Sequence, residues 1–177
     1  LADIAITIEG HGSLATRPMG FFEEVLPQLD VECTTKEGKL PLHIKGPLKA
    51  KNITIDGSLS SQFLTGLLMA YGSVAEDVTI TVKDLKSKPY IALTLQLMEQ
   101  FGVKVQQENF EHFRFGKKQT YRAGEYTVEG DWSGAAFLLV AAAVAGKAEV
   151  HHLNIHSAQS DKAILEALEK AGAHLAP

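Results

Sequence analysis

Periodicity and repetition point to an α/β chain with its helices inside and its sheets outside. Strand-like and helix-like segments alternate from end to end of the 177 residues. Two helical segments are apolar on nearly every side. Residues 63–71 offer only Thr65 and the Tyr71 hydroxyl as polar side-chain groups, and residues 135–145 offer none. A helix apolar all round must be buried all round, which places these helices at the centre and the sheets on the flanks. A unit also repeats. Thr54-Ile55-Asp56-Gly57 returns as Thr127-Val128-Glu129-Gly130, 73 residues later, each copy followed by a small apolar helix and a strand. An amphipathic helix ending in a short strand alternates with it, opening at Pro18, Pro89 and Asp161 with spacings of 71 and 72. A near-constant period through two elements marks a duplicated supersecondary unit, longer than ordinary solenoid repeats.

Strands are expected at about 3–8, 31–35, 42–44, 52–55, 77–82, 103–107, 110–115, 125–128 and 148–153, and helices at about 18–29, 60–72, 89–101, 132–145 and 161–171. Val78-Thr79-Ile80-Thr81-Val82 is β-branched on both faces, as a strand prefers. The helix from Pro89 starts on a residue suited to the first helical position and stops at Gly102. The polar stretch 116–124 is expected to be a loop.

Apolar residues make up 45% and charged residues 21%, so disorder and a disulfide scaffold are excluded. The net charge of −4 leaves no global basic field, which argues against nucleic acid as partner. Cys33 is the single cysteine and fits a reducing, cytoplasmic setting. Leu1 is no initiator methionine, Leu1–Ile8 is no signal peptide, and Ala176-Pro177 closes the chain as a new strand begins, so a piece of a longer protein is expected. The longest apolar run, 135–145, is eleven residues, short of the roughly 20 that span a bilayer, so no membrane is expected.

Chemistry concentrates at helix starts. Asp56-Gly57-Ser58-Leu59-Ser60-Ser61-Gln62 runs from a strand into a helix, bringing hydroxyls to backbone N–H groups that lack helical partners. An anion is favoured there; simple N-capping is the alternative. Lys83-Asp84-Leu85-Lys86-Ser87-Lys88-Pro89-Tyr90 forms a second strand-to-helix joint, a phosphate cradle or a solvated basic loop. Arg17, just before Pro18, suits a carboxylate or phosphate, or is a solvated surface arginine. Asp131 caps the fourth helix or takes part in chemistry. His151 and His152 point to opposite faces of a strand, which argues against a shared metal.

Three segments together carry a resemblance: Asp56-Gly57-Ser58-Leu59-Ser60-Ser61-Gln62-Phe63-Leu64-Thr65; Ser87-Lys88-Pro89-Tyr90-Ile91; and Arg17-Pro18-Met19-Gly20, with Glu129-Gly130-Asp131 after them. In order and spacing the chain resembles the 5-enolpyruvylshikimate-3-phosphate synthase family of enolpyruvyl transferases. The Ser-Ser-Gln-Phe-Leu and Ser-Lys-Pro-Tyr pairing separates that family from the UDP-N-acetylglucosamine enolpyruvyl transferases, the runner-up. A non-catalytic binding module of the same fold is a third reading.

The resemblance implies an inside-out α/β barrel built from repeated β-α-β-α-β-β units, incomplete in this chain. Residues 1–129 would be most of one domain, on the shikimate-3-phosphate side, and 130–177 the crossover and the beginning of the second. Ser60, Ser61 and Ser87 would hold the phosphate of shikimate-3-phosphate, Gln62 would touch shikimate and enolpyruvyl groups, Tyr90 would pack near the shikimate ring, and Arg17 would bind phosphoenolpyruvate. Asp131 is the one catalytic candidate. The reaction implied needs no metal or organic cofactor. The family's N-terminal Lys-Ser pair and its later acidic, lysine and arginine positions have no counterpart here. The expected partners are therefore the two substrates, the remainder of the same enzyme, or another copy through exposed apolar surface on helix 132–145. The chain alone is expected to be inactive.

Overall fold

The computed structural model describes residues 3–58 and 60–176. Leu1, on which the reading of the chain start rests, Leu59 of the serine motif and Pro177 at the chain end lie outside the described residues. The chain runs β1 (Ala5–Ile8), α1 (Gly20–Val25), β2 (Glu32–Lys36), β3 (Lys39–Lys45), β4 (Ile53–Asp56), α2 (Ser61–Val74), β5 (Val78–Lys83), α3 (Lys88–Gln100), β6 (Gln106–Glu108), β7 (His112–Phe115), α4 (Trp132–Ala145) and α5 (Ile164–Lys170). One sheet is antiparallel, in the order β1-β3-β2; the other has the order β4-β5-β7-β6, with β4 and β5 parallel and the remaining pairs antiparallel.

Alternation in the strands decides which face is buried. In the second sheet Ile53, Ile55, Ile80, Val82, Phe113 and Phe115 point inward, while Thr54, Asp56, His112 and Arg114 point to solvent. The inward side chains join one core with Leu64, Leu67 and Leu68 of α2, Ile91 and Met98 of α3, and Phe21 and Val25 of α1. The apolar stripes of α1, α2 and α3 thus pack into one core with the inward face of the second sheet, whose other face is polar. Tyr71 is fully buried and donates its hydroxyl to the Lys51 carbonyl at 2.9 Å. Burial pushes its phenol up to about 12.

The duplicated motif has a physical basis at its two glycines. A Cβ on Gly57 would lie 2.6 Å from Val82 Cγ1 and 3.0 Å from the Leu85 Cα, and one on Gly130 would lie 2.9 Å from the His152 carbonyl oxygen. Each glycine lets the chain approach the next segment and donate a backbone hydrogen bond, Gly57 to Lys83 at 2.7 Å and Gly130 to His152 at 2.8 Å. Gly57→Ala should therefore cost about 2 kcal/mol in urea unfolding, the usual scale of an overpacked site. An unchanged midpoint would show that the β4–β5 joint yields freely.

The structure corrects several expected elements. Helix 18–29 is a short α1 followed by a 3-10 turn over Leu26–Leu29, because Pro27 cannot donate and Asp30 adopts φ 61°. Helix 161–171 opens as a 3-10 turn over Ser160–Ala163 and ends before Gly172 at φ 87°. Strand 103–107 shrinks to β6, since the Gln119 side chain takes both backbone groups of Lys104 at 2.8 Å. Segments 125–128 and 148–153 are not strands. Among the described residues one backbone hydrogen bond joins this part of the chain, from Gly130 just after the first segment to His152 in the second, and His152 at φ 64° breaks the extended run. The α4 helix is not buried all round: Trp132 and Ala135 are buried, but Phe137 and Val144 are 79% and 85% exposed.

Candidate functional site

Parallel neighbours leave a sheet at the same end, and that places the site. Asp56 at the end of β4 registers with Lys83 at the end of β5. The helix caps follow at equal distance, Ser60 before α2 and Ser87 before α3. The two helices then pack side by side, with Thr65 Oγ1 2.9 Å from Thr94 Oγ1. The first turn of α1 joins them: Phe21 stacks on Phe63 at 4.8 Å between centroids, and Phe22 meets Phe63 edge-on at 5.2 Å. Arg17, on the loop before α1, is exposed. The starts of α1, α2 and α3 thus share one edge of the molecule, and their unpaired backbone donors and dipoles favour an anion there.

The serines divide between capping and availability. Ser60 accepts the Gln62 backbone N–H at 3.2 Å, so it is the N-cap of α2. Ser87 occupies the cap position of α3 without capping it. Among the described residues no hydrogen bond engages the Ser61 or Ser87 hydroxyl. Asp56 accepts the Ser58 N–H at 2.8 Å, and hydrogen bonds from Ser58 hold its carboxyl below the usual range. Of the lysines of the second joint, Lys88 places its Nζ 6.0 Å from the centroid of the Phe110 ring.

Asp131 is the N-cap of α4. Its Oδ1 accepts the Ser133 N–H at 3.0 Å, its Oδ2 accepts the Gly134 N–H at 3.0 Å, and the Ser133 hydroxyl donates to both oxygens at 2.8 Å. Ser133 and the Gly134 N–H hold its carboxyl below the usual range. A carboxylate engaged in this way is favoured in its charged form.

A network that the sequence did not single out surrounds the Asp131 turn. Gln159 Nε2 donates to Glu129 Oε1 at 2.9 Å and to the Gly130 carbonyl at 3.0 Å, while its Oε1 accepts the Trp132 N–H at 2.9 Å. The Ser157 hydroxyl also donates to Glu129. These donors, Gln159 first, hold the Glu129 carboxyl below the usual range. Beside this network a small cleft runs along the middle and last turns of α3, lined by Leu93, Gln96, Tyr126, Glu129, His156 and Ser157. It lies near the start of α4, and its lining includes none of Arg17, Ser60, Ser61 or Ser87. The available signal for Gln159 was its place just before Asp161, where the third copy of the amphipathic unit opens.

The signs of these shifts give a pH prediction. Both Glu129 and Asp131 have folded-state pKa values below their unfolded ones, so their stabilisation is present above about pH 4.5 and is lost as pH falls through the folded values. Trp132 is the single tryptophan, is 2% exposed and donates its indole N–H to Asn154 at 3.0 Å. Its emission should hold steady from pH 8 to 5 and shift to the red in acid below that. A red shift centred near pH 6 would assign the joint to other groups.

Among the described residues no group of three His, Cys, Asp or Glu is arranged to hold a metal ion, and no helix is long and apolar enough to cross a membrane. The family model for EPSP synthase (3-phosphoshikimate 1-carboxyvinyltransferase) matches residues 1–176. The 3-phosphoshikimate 1-carboxyvinyltransferase of Cronobacter sakazakii is 41% identical over 175 residues, covering 96% of this chain and 41% of that relative. The one from Psychromonas ingrahamii is 44% identical over 174 residues, covering 95% of this chain and 41% of that relative. The chain therefore spans about two-fifths of the length of these relatives. The solved structure of EPSP synthase from Acinetobacter baumannii shares the α/β fold, with a TM-score of 0.72 at 24% identity over 96% of this chain and 38% of that one. By the family match along its length, this chain belongs to the EPSP synthase family.

Proposed function

We propose that this chain supplies the shikimate-3-phosphate wall of a 3-phosphoshikimate 1-carboxyvinyltransferase. Such an enzyme moves the enolpyruvyl group of phosphoenolpyruvate to the 5-hydroxyl of shikimate-3-phosphate and releases phosphate. The observation that carries the reading is the shared edge of three helix starts, where among the described residues no hydrogen bond engages the Ser61 or Ser87 hydroxyl and Ser87 does not cap α3. In this reading Ser60, Ser61 and Ser87 surround the phosphate, Gln62 and Tyr90 meet the ring, and Arg17 serves phosphoenolpyruvate. Asp131, the one catalytic candidate, also shapes the turn into α4.

Domain division follows the same reading. The common core draws on Phe21 through Phe115, while buried Trp132, Ala135 and Leu168 stand apart from it. A boundary at 129/130 suits that separation, with residues 1–129 as one inside-out unit and 130–177 as the start of another. The exposed face of α4 is then the seat for the remainder of such an enzyme, or for a second copy of this chain.

Calorimetry tests the reading. Shikimate-3-phosphate should bind in preference to UDP-N-acetylglucosamine, and Ser61→Ala with Ser87→Ala should weaken it by roughly 100-fold, two charge-assisted hydrogen bonds' worth. Preference for the nucleotide sugar, or an unaltered affinity in the double variant, would overturn it.

A further inference from the structure

The sequence marks Asp161 only as the start of a helix. In the structure its Oδ2 accepts the hydroxyl proton of Tyr90 at 2.7 Å, across a separation of 71 residues. Asp161 belongs to the 3-10 turn Ser160–Ala163. The residue that leads into this turn, Gln159, is fastened to Glu129, Gly130 and the N–H of Trp132. The carboxylate is therefore carried by a segment tied to the start of α4. Tyr90, by contrast, sits in the first turn of α3 with its side chain 42% exposed. So open an aromatic ring is little restrained by packing, and its polar end has to orient it.

We propose that Asp161 is a positioning residue that holds the Tyr90 ring in place over the helix-start edge, so that a cyclic phosphate ester finds the ring already set. The proposal rests on the functional reading above and adds a residue to it. It explains why the two parts of the chain meet at this point: the turn that closes on α4 also fixes a side chain of α3. Three groups face the Tyr90 hydroxyl. Asp161 is the acceptor, the Ser160 hydroxyl lies 3.4 Å from the same carboxylate oxygen, and the Asp131 carboxylate acts on it electrostatically. Among the described residues no lysine or arginine forms an ion pair with Asp161. Pre-setting a ring lowers the ordering cost of binding, so it favours ligands that touch the ring and is indifferent to those that do not.

That asymmetry is the test. In the chain as it stands, Asp161→Ala should weaken shikimate-3-phosphate binding roughly tenfold. It should leave inorganic phosphate within about twofold, since phosphate does not reach the ring. Asp161→Asn keeps an acceptor oxygen and should restore most of the loss. Tyr90→Phe changes an exposed side chain that the fold tolerates, and Tyr90→Phe with Asp161→Ala should be no weaker than Asp161→Ala alone. A ligand-free arm reads the contact directly. The chain has four tyrosines, and the absorbance titration of Tyr90, obtained by difference from Tyr90→Phe, should move to lower pH in Asp161→Ala. A merely structural residue would shift phosphate and shikimate-3-phosphate together. Equal loss of both ligands, no loss of either, or an unmoved Tyr90 titration overturns the proposal. If the unaltered chain binds neither ligand, the functional reading fails by itself, and the Tyr90 titration alone then decides the role of Asp161.

Discussion

Purified by itself, this chain should bind a hydrophobic dye and self-associate, and Phe137→Glu with Val144→Lys should strongly reduce both. Phe137, Leu138, Val140 and Val144 of α4 are 79%, 57%, 42% and 85% exposed. Fully burying a side chain of this kind is worth about 1.5–3 kcal/mol. Covering the group therefore gains several kcal/mol, enough to offset part of the cost of association and to drive dimers or larger species at micromolar concentration. Residues 137 and 144 lie two turns apart on one helical face, so the double substitution places charges along the middle of the patch. Neither side chain belongs to the common core, so far-ultraviolet dichroism should hold while dye fluorescence falls several-fold. Light scattering is the decisive measurement. A strict monomer that binds no dye in the unaltered chain would mean that the exposed face is inert.

Turnover by this chain with both substrates should lie below detection. In the reading proposed above, the helix-start edge supplies groups that bind and orient: Ser61, Ser87, Gln62, Tyr90 and Arg17. Asp131, the one catalytic candidate, spends both carboxylate oxygens on its helix cap. Positioned acids and bases contribute about 100- to 10,000-fold each. Alignment and water exclusion between two walls can be worth about 7–11 kcal/mol of barrier. Because the chain spans about two-fifths of its curated relatives, both contributions fall largely to the part of such an enzyme that it does not include. A phosphate-release assay reads the outcome. Release that scales with pure chain, and that disappears in Ser61→Ala with Arg17→Ala, would show that one wall is sufficient for catalysis.

Much of this was legible because it depends on local chemistry. The pattern at 78–82 demanded a strand, Pro89 and Gly102 bounded a helix, and the glycines of the motif at 54–57 and 127–130 both sit where a Cβ would collide, although only the first copy of the motif is a strand. The helix ends were legible too, since Ser60 and Asp131 are residue types that cap, and they do. The misplaced segments share one feature. Residues 103–105, 125–128 and 148–153 have the composition of strands, but a strand exists only when another segment pairs with it. Gln119 took the place of one partner, and His152 turned the chain away from another.

The helix-start edge shows the same division at the scale of function. Residue type and spacing marked Ser60–Gln62, Ser87–Tyr90 and Arg17 as candidates, beside the N-cap, basic-loop and surface-arginine readings that the same residues allow. Which of those hydroxyls stays available was settled by backbone geometry, as Ser60 closed onto Gln62 while Ser87 did not close onto its helix. Asp161 and Gln159 owe their place to contacts across 71 and 27 residues of chain. No local pattern encodes such a contact, because its partner is chosen by how α3 and α4 come to lie in space. Hydrogen bonds between distant segments are made only after packing has brought the segments together, so this joint belongs to the folded molecule and not to any stretch of its sequence.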